Sequence, residues 1–329
     1  PREIEMPHVV CLRPVHPEAI ERLRSAPGVT VEVLDPVNEE TIARAMPKAD
    51  AVIVRATRID RAFLAHAPNL RIVARHGVGY DAVDVDALTE RGIPLTVTPD
   101  ANAASVAEHA MMLMLNIARG TFAYDRKTRA LEWSNPPVPN TFDLGGRTVL
   151  VVGFGRIGGR VARLCGAFGM EVLVRDPFIP QNTIKGAGFA PVKSLPAALA
   201  RADIVTVHVP SSPQTRGMVN GEWLASMKRG AVLVNTARGT LVNEEALAGA
   251  LTSGHLAAAG LDVFWEEPIR ADNPLLAAPN LVMTPHSAAA TEQGIRRMGL
   301  SCADSILACF DGRLDEDVVI NQDVLRRNA

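Results

Sequence analysis

A glycine-rich hexapeptide, GFGRIG at residues 153–158, follows the β-rich run TVLVV and precedes a helical stretch rich in Ala, Val and Leu. In this strand–turn–helix context the spacing is typical of a dinucleotide-binding turn. The first glycine permits a tight turn, the second lets a pyrophosphate approach the backbone, and the third lets the helix pack on the strand. The helix N-terminus adds N–H donors and partial positive charge. The predicted cofactor-binding residues here are Gly153, Gly155, Arg156, Ile157 and Gly158.

A carboxylate closes the next predicted strand, EVLVRD. Asp176 follows Gly158 at close to the spacing of about 20 residues at which such folds place their ribose-binding acid. A carboxylate there accepts hydrogen bonds from both ribose hydroxyls and repels a 2′-phosphate. Asp176 therefore favours NAD over NADP, although Arg175 beside it weakens that preference.

Two further side chains stand at the carboxyl ends of predicted strands, where open α/β sheets bind ligands. Arg238 follows AVLVN, and its planar guanidinium suits bidentate binding of a carboxylate. His286 closes the last strand of its series, and imidazole titrates near neutrality, as proton transfer requires. Among the other histidines, three lie at or beside polar ends of elements, where a solvated face explains them: His8, His16 and His66.

The elements that position these residues form two series of alternating strands and helices. Runs such as AVIV are continuously apolar, which favours parallel strands buried on both faces. First-series strands are predicted at 9–12, 29–34, 51–55, 70–74 and 94–98. Second-series strands are predicted at 148–152, 171–175, 204–209, 231–235, 257–263 and 281–284. Long helices are predicted from 102 to about 119 and from about 291 to 310, and VVIN at 318–321 is expected to return to the first series.

Length and composition limit the class of protein. The chain has 329 residues, which predicts two domains, and its core must be aliphatic because only 4% of residues are aromatic. A net charge of −2 gives no basic excess for binding nucleic acid or an anionic membrane. The four scattered cysteines predict neither a disulfide framework nor a metal site. With no signal-peptide pattern at PREIEMPHVV and no apolar segment of about 20 residues, we expect a cytoplasmic protein without membrane spans.

Seven motifs, in this order, resemble those of the D-isomer-specific 2-hydroxyacid dehydrogenase family, and the similarity covers essentially the whole chain. They are RHGVGYDAVD (75–84), SVAEH (105–109), GFGRIG (153–158), HVPSSPQT (208–215), LVNTARG (233–239), LDVFWEEP (261–268) and TPHSA (284–288). The resemblance implies an α/β protein of two lobes, with a Rossmann-like NAD-binding domain at 102–288 inserted into a flavodoxin-like substrate domain. That substrate domain would comprise 1–101 and 289–329, with the catalytic cleft between the lobes.

The resemblance also implies roles for individual residues. Arg238, Glu267 and His286 match the catalytic trio: Arg238 holds the substrate carboxylate, His286 shuttles the proton of the C2 oxygen, and Glu267 orients His286 and favours its protonated form. The residues implied to touch the nicotinamide half are Pro210, Thr215, Ala237, Asp262 and Ala288. The residues implied to bind substrate with Arg238 are Arg55, His76, Val78 and Gly79. Family members are usually homodimers, with an arm at 122–140 embracing the partner.

The predicted function is reversible hydride transfer between nicotinamide and a small D-2-hydroxy acid or 2-keto acid, with 3-phosphoglycerate, hydroxypyruvate, glyoxylate or a sulfo analogue as candidates. Phosphoglycerate-specific relatives often follow the arginine at position 55 with serine, whereas this chain has Ala56. An alternative is a dinucleotide-responsive corepressor-like binding protein of the same fold. A third possibility, an amino-acid dehydrogenase, would lack the NTARG and TPHSA pair.

Overall fold

The computed structural model describes residues 6–133 and 141–327. The chain divides into two compact units, Pro1–Asn102 with Ala290–Ala329, and Ala103–Ala289. Within the described residues no helix is both long enough and apolar enough to cross a membrane.

Strands and helices alternate through both units. The strands in chain order are β1 (His8–Leu12), β2 (Thr30–Leu34), β3 (Ala51–Val54), β4 (Ile72–Arg75), β5 (Leu95–Thr96), β6 (Thr148–Val152), β7 (Glu171–Arg175), β8 (Ala190–Pro191), β9 (Ile204–Val207), β10 (Val232–Asn235), β11 (Ala258–Leu261) and β12 (Leu281–Met283). The helices are α1 (Pro17–Arg24), α2 (Glu39–Ala45), α3 (Arg61–Ala65), α4 (Val85–Glu90), α5 (Ala103–Arg119), α6 (Thr121–Arg129), α7 (Arg156–Ala167), α8 (Gln181–Gly186), α9 (Leu195–Arg201), α10 (Gly221–Ala225), α11 (Glu244–Thr252), α12 (Glu292–Phe310) and α13 (Asp323–Arg327). Single 3-10 turns lie at Met46–Lys48, Gly239–Leu241, Pro274–Ala277 and Glu316–Val318.

The first unit contains a parallel sheet in the order β2-β1-β3-β4-β5. This is the flavodoxin-like doubly wound order, and it confirms the fold class expected from the sequence. Strand β3 is buried along its whole length, which explains its unbroken AVIV run, because helices cover both faces of such a sheet.

The C-terminal segment covers the edge of the first sheet at β5. Val319 forms an antiparallel bridge with Thr96, and the Ile320 amide donates to the Leu95 carbonyl at 2.9 Å. The buried Asn321 side chain accepts from the Leu95 amide at 2.8 Å and donates to the Ile93 carbonyl at 2.9 Å. The tail thus returns to the first unit, as the VVIN run predicted.

The second unit contains a parallel sheet in the order β12-β11-β10-β9-β6-β7-β8. Its central part follows the Rossmann order, with β6 and β9 side by side at the point where the winding direction reverses. Ligands of such sheets bind outside the carboxyl ends of the strands near this point. Helix α5 packs closely on the sheet, since a Cβ added to Gly260 of β11 would lie 3.0 Å from the Leu113 Cβ.

The predicted elements differ from the observed ones mainly at their ends. Strands predicted at 204–209 and 257–263 stop at Val207 and Leu261, because the chain turns there into the loops that carry the polar residues of the site. Helix α6 occupies the first part of the predicted dimer arm, while residues 134–140 of that arm lie outside the described residues. The two-residue strand β8 was not predicted, because so short a run carries no periodic signal.

Candidate active site

The glycine-rich turn connects β6 to α7, and its shape depends on the absence of side chains. A Cβ on Gly158 would lie 1.9 Å from the Gly153 carbonyl oxygen, so only glycine lets the helix start this close to the strand. A Cβ on Gly155 would have no heavy atom within 4 Å other than those of its chain neighbours, so space is open above the second glycine. Helix α7 begins at Arg156 and points its N-terminus at this space. These residues therefore fit the pyrophosphate of a dinucleotide.

Asp176 lies next to this turn and is hydrogen-bonded to it. One carboxylate oxygen accepts from the Phe154 amide at 2.8 Å, and the other accepts from the amides of Phe178 at 2.8 Å and Ile179 at 3.2 Å. The sequence indicated only a ribose-binding acid at this position. The structure adds that the same carboxylate fixes the glycine-rich turn against the end of β7.

The loop after β10 carries Arg238, and its backbone is held by a buried amide. Asn235 Nδ2 donates to the Arg238 carbonyl at 2.8 Å, and Asn235 Oδ1 accepts from the Ala237 amide at 3.0 Å. A Cβ on Gly239 would lie 1.8 Å from the Phe264 carbonyl carbon, so glycine is needed where the two loops meet. Sequence reasoning missed Asn235 and Gly239, although both lie inside the NTARG motif that singled out Arg238.

Glu267 and His286 form a close pair. His286 Nδ1 lies 2.6 Å from Glu267 Oε2, while Glu267 Oε1 accepts from the Phe264 amide at 3.0 Å. Burial raises the pKa of the Glu267 carboxyl, but the hydrogen bonds from His286 and Phe264 and the positive charge of Arg238 bring that pKa below its usual value. The His286 side chain remains 49% exposed, so its ring can meet a ligand. The structure therefore brings all three predicted catalytic residues to one edge of the second sheet.

The backbone of His286 is unusual, with φ at 50°, in the left-handed region that residues other than glycine rarely occupy. Its amide donates to the Asp262 carbonyl at 2.7 Å and to the Thr284 carbonyl at 3.0 Å. The next two amides, of Ser287 and Ala288, donate to the two oxygens of the Asp262 side chain at 2.8 and 2.9 Å. The loop is thus held in this conformation by Asp262.

The residues expected at the nicotinamide follow β9, β10, β11 and β12 at their carboxyl ends. Thr215 Oγ1 donates to the Pro210 carbonyl at 2.7 Å and accepts from the Ser212 amide at 2.8 Å, which closes the turn after β9. Asp262 is fully buried, and donors of the fold occupy both of its oxygens. The other two residues expected at the nicotinamide are Ala237, in the loop of Arg238, and Ala288, in the loop of His286.

The residues expected to bind substrate in the first unit follow the adjacent strands β3 and β4. Arg55 is exposed and donates to the Pro14 carbonyl at 3.2 Å. His76 is only 5% exposed, and its Nε2 has no hydrogen-bond partner among the described residues. Burial, assisted by the charges of Arg55 and Arg75, lowers the pKa of His76 to about 4, so its ring is neutral at physiological pH. It is followed directly by the turn that contains Val78 and Gly79.

His208 is not suited to act as a second base, and no metal centre is present in the part of the chain that the structure describes. Burial lowers the pKa of His208 to about 3, and its Nε2 lies 2.8 Å from Thr206 Oγ1. Across residues 6–133 and 141–327, no group of three or more His, Cys, Asp or Glu side chains is placed to hold a metal ion.

Comparison with known proteins points to one family. Residues 111–288 match the model of the D-isomer specific 2-hydroxyacid dehydrogenase NAD binding domain. A D-3-phosphoglycerate dehydrogenase of Mycobacterium tuberculosis is 43% identical over 90% of this chain, which spans 56% of that relative's length. A glyoxylate reductase of Aeropyrum pernix is 37% identical over 98% of both chains. The crystal structure of a D-lactate dehydrogenase from Aquifex aeolicus, complexed with NAD and lactic acid, superposes with a TM-score of 0.84 at 27% identity, covering 95% of this chain and 99% of that one.

Proposed function

Because the chain belongs to the D-isomer specific 2-hydroxyacid dehydrogenase family, we propose that it catalyses the NAD-dependent interconversion of a 2-keto acid and a D-2-hydroxy acid. The observation that carries this proposal is the 2.6 Å contact between His286 and Glu267, at the same sheet edge as Arg238. An imidazole oriented by a carboxylate can transfer the proton of the substrate hydroxyl. A nearby guanidinium can bind the carboxylate of the same substrate.

Each side chain of the trio has a separate task in this proposal. Arg238 binds the substrate carboxylate through its fork of N–H donors. Since Nδ1 of His286 faces Glu267, Nε2 exchanges the proton with the C2 oxygen of the substrate. Glu267 stabilises the imidazolium that donates in the direction of keto-acid reduction. The nicotinamide, when bound, supplies hydride to C2 or accepts it from C2.

The first unit is proposed to contribute substrate contacts of its own. The amides of Val78 and Gly79, in the turn after β4, are suited to a carboxylate, as backbone N–H groups in glycine turns often are. His76 supports this role, because its buried and neutral Nε2 has no partner among the described residues and can accept a hydrogen bond from a ligand. Arg55 adds an exposed cation at the end of the neighbouring strand.

An assay of NADH oxidation against a panel of 2-keto acids tests the proposed function. The panel should include hydroxypyruvate, glyoxylate, pyruvate and 3-phosphohydroxypyruvate. Turnover of at least one member supports the proposal. NADH binding without turnover of any member would contradict it and would favour the competing hypothesis, a dinucleotide-responsive binding protein.

Asp176 is proposed to set the preference for NAD over NADP. We expect Asp176→Asn to weaken NADH binding by about 10-fold, since a charge-assisted hydrogen bond contributes roughly 1.5–3 kcal/mol and the amide retains part of it. NADPH binding should be unchanged or stronger, because the repulsion of the 2′-phosphate is removed. Titrations of both dinucleotides by fluorescence measure this. Equal weakening of both would indicate that Asp176 acts only by holding the Phe154 amide.

We further propose a homodimer formed through the second unit. Helices α5 and α7 present an exposed apolar groove of about 400 Å³, whose lining includes Met112 and Phe168. Three other exposed hydrophobic side chains lie on or just after α6, and a partner subunit would remove them from water: Phe122, Leu131 and Trp133.

A charge placed in this groove should separate the subunits. We expect Met112→Glu to shift the protein from dimer to monomer, because a carboxylate buried in an apolar interface loses its hydration. Light scattering after size-exclusion chromatography measures the mass. Leu276→Glu, at another exposed hydrophobic position of the second unit, is the matched control and should remain dimeric. A wild-type protein that runs as a monomer would contradict the proposal.

A reducing compartment is the proposed location, and cytoplasm is the simplest choice. All four cysteines are free thiols, and Cys11, Cys165 and Cys302 are buried. Burial raises the pKa of Cys11 and of Cys165 to about 12, so both thiols remain protonated and unreactive.

A further inference from the structure

A chain of side chains leads from helix α5 to the loop that carries His286. His109 Nε2 lies 2.8 Å from Thr284 Oγ1, and Thr284 Oγ1 lies 2.6 Å from Asp262 Oδ1. Asp262 in turn accepts the Ser287 amide, immediately after His286. A helix residue far away in the sequence is therefore connected to the proposed proton-transfer group through two intermediates.

The direction of these hydrogen bonds follows from counting hydrogens. Asp262 accepts two backbone amides, so it acts as a carboxylate acceptor. Thr284 has one hydroxyl hydrogen and donates it to Asp262, which leaves its oxygen to accept from His109. His109 therefore carries its proton on Nε2 and donates it. Burial lowers the pKa of His109, although the negative charge of Asp262 opposes the shift, and this direction favours the neutral ring.

The chain of donors also explains how a carboxylate tolerates complete burial. The Asp262 side chain, directly after β11, is 1% exposed. A buried carboxylate is costly unless donors satisfy its oxygens. Oδ1 accepts hydrogen bonds from Thr284 Oγ1 and from the Ser287 amide. Oδ2 accepts one from the Ala288 amide. Without the hydroxyl, Oδ1 would lose its shortest hydrogen bond.

The hydrogen bonds of Asp262 matter most for the loop of residues 284–288, because this loop has a backbone conformation that is intrinsically unfavourable. His286 has φ at 50°, which persists only where the surroundings impose it. The side chain and the carbonyl of Asp262 together take three successive amides of this loop, those of His286, Ser287 and Ala288. Asp262 is thus placed to fix the loop that carries the His286 ring toward Glu267.

We propose that His109, Thr284 and Asp262 are positioning residues that hold the His286 loop in its left-handed conformation, with His109 as the distal anchor. The effect on catalysis rests on the proposed function, whereas the effect on the loop does not. Loss of the Thr284 hydroxyl should loosen residues 284–288 and let the His286 ring leave Glu267. A displacement of about 1 Å of a catalytic group can cost roughly 100-fold in rate.

The test compares Thr284→Val, which removes the hydroxyl, with Thr284→Ser, which keeps it. Amide hydrogen exchange of a peptide covering 284–290, followed by mass spectrometry, should be about tenfold faster in Thr284→Val. A peptide covering β7 should be unchanged. With an accepted keto acid, kcat should fall by about 10–100-fold while the Kd for NADH stays within about threefold. Thr284→Ser should behave as wild type in both measurements.

His109 provides a second pair of variants that does not disturb the loop itself. His109→Leu removes the donor and should reproduce both effects of Thr284→Val, whereas His109→Gln keeps an N–H donor and should rescue them in large part. The proposal would be overturned if Thr284→Val matched Thr284→Ser in both amide exchange and kcat. It would also be overturned if His109→Gln and His109→Leu gave the same amide exchange and the same kcat. If the wild type turns over no keto acid, the proposed function fails, while the exchange data still decide whether the loop is held in this way.

Discussion

Replacement of His286 by Asn is expected to lower kcat for keto-acid reduction by about 10²–10⁴-fold, the usual contribution of a general acid–base group. Asn is the informative substitution because it tolerates the left-handed backbone found at this residue better than Ala does. A loss of rate therefore reports the missing imidazole and not a rebuilt loop. Steady-state kinetics at saturating NADH and keto acid measure it.

The His286 variant should still bind cofactor. The Kd for NADH is expected to remain within about threefold of wild type, because the glycine-rich turn and Asp176 are untouched. His66→Asn, a histidine at the end of α3 in the first unit, is the matched control and should retain wild-type kcat. If the His286 variant retained more than about a tenth of the wild-type kcat, His286 would not be the proton-transfer group.

Replacement of Arg238 by Lys is expected to lower kcat/KM for the keto acid by about 10²–10³-fold. The charge is preserved, but the two parallel N–H donors that match a carboxylate are lost, and hydrogen bonds to charged groups contribute roughly 1.5–3 kcal/mol each. The same kinetic assay, run over a range of keto-acid concentrations, separates KM from kcat.

Arg201→Lys is the matched control for this variant, since Arg201 forms an exposed ion pair with Glu171. It should leave kcat/KM unchanged, because exposed ion pairs contribute little. If the Arg238 variant retained the wild-type KM for the keto acid and lost only its affinity for NADH, Arg238 would not be the substrate-binding cation.

Much of the architecture can be predicted from the sequence because its strands are buried on both faces. The run TVLVV and the run EVLVR lie at the predicted positions β6 and β7 to the residue. Long helices α5 and α12 begin within one residue of prediction, since their apolar spacing extends over many turns. Polar residues directly after such strands indicate the ligand-binding edge, which is why Arg238 and His286 stand out in the sequence.

What the sequence does not reveal is which groups hold those residues in place. Nothing in the spacing indicates that Asn235 bonds the Arg238 carbonyl, or that Gly239 lies against the Phe264 backbone. The first contact depends on the exact shape of the turn after β10, and the second joins segments that are distant along the chain, so it depends on the register of the folded sheet. His109 is the clearest example, because in sequence it looks like one polar residue in a helix rich in Met and Leu.

Deuterium transfer tests the central claim most directly. The protein is incubated with an accepted 2-keto acid and NADH that carries deuterium at both C4 positions, and the product is analysed by chiral chromatography and mass spectrometry. A D-2-hydroxy acid with one deuterium at C2 is the predicted product. An L-2-hydroxy acid, or a product without deuterium at C2, would contradict the proposed reaction.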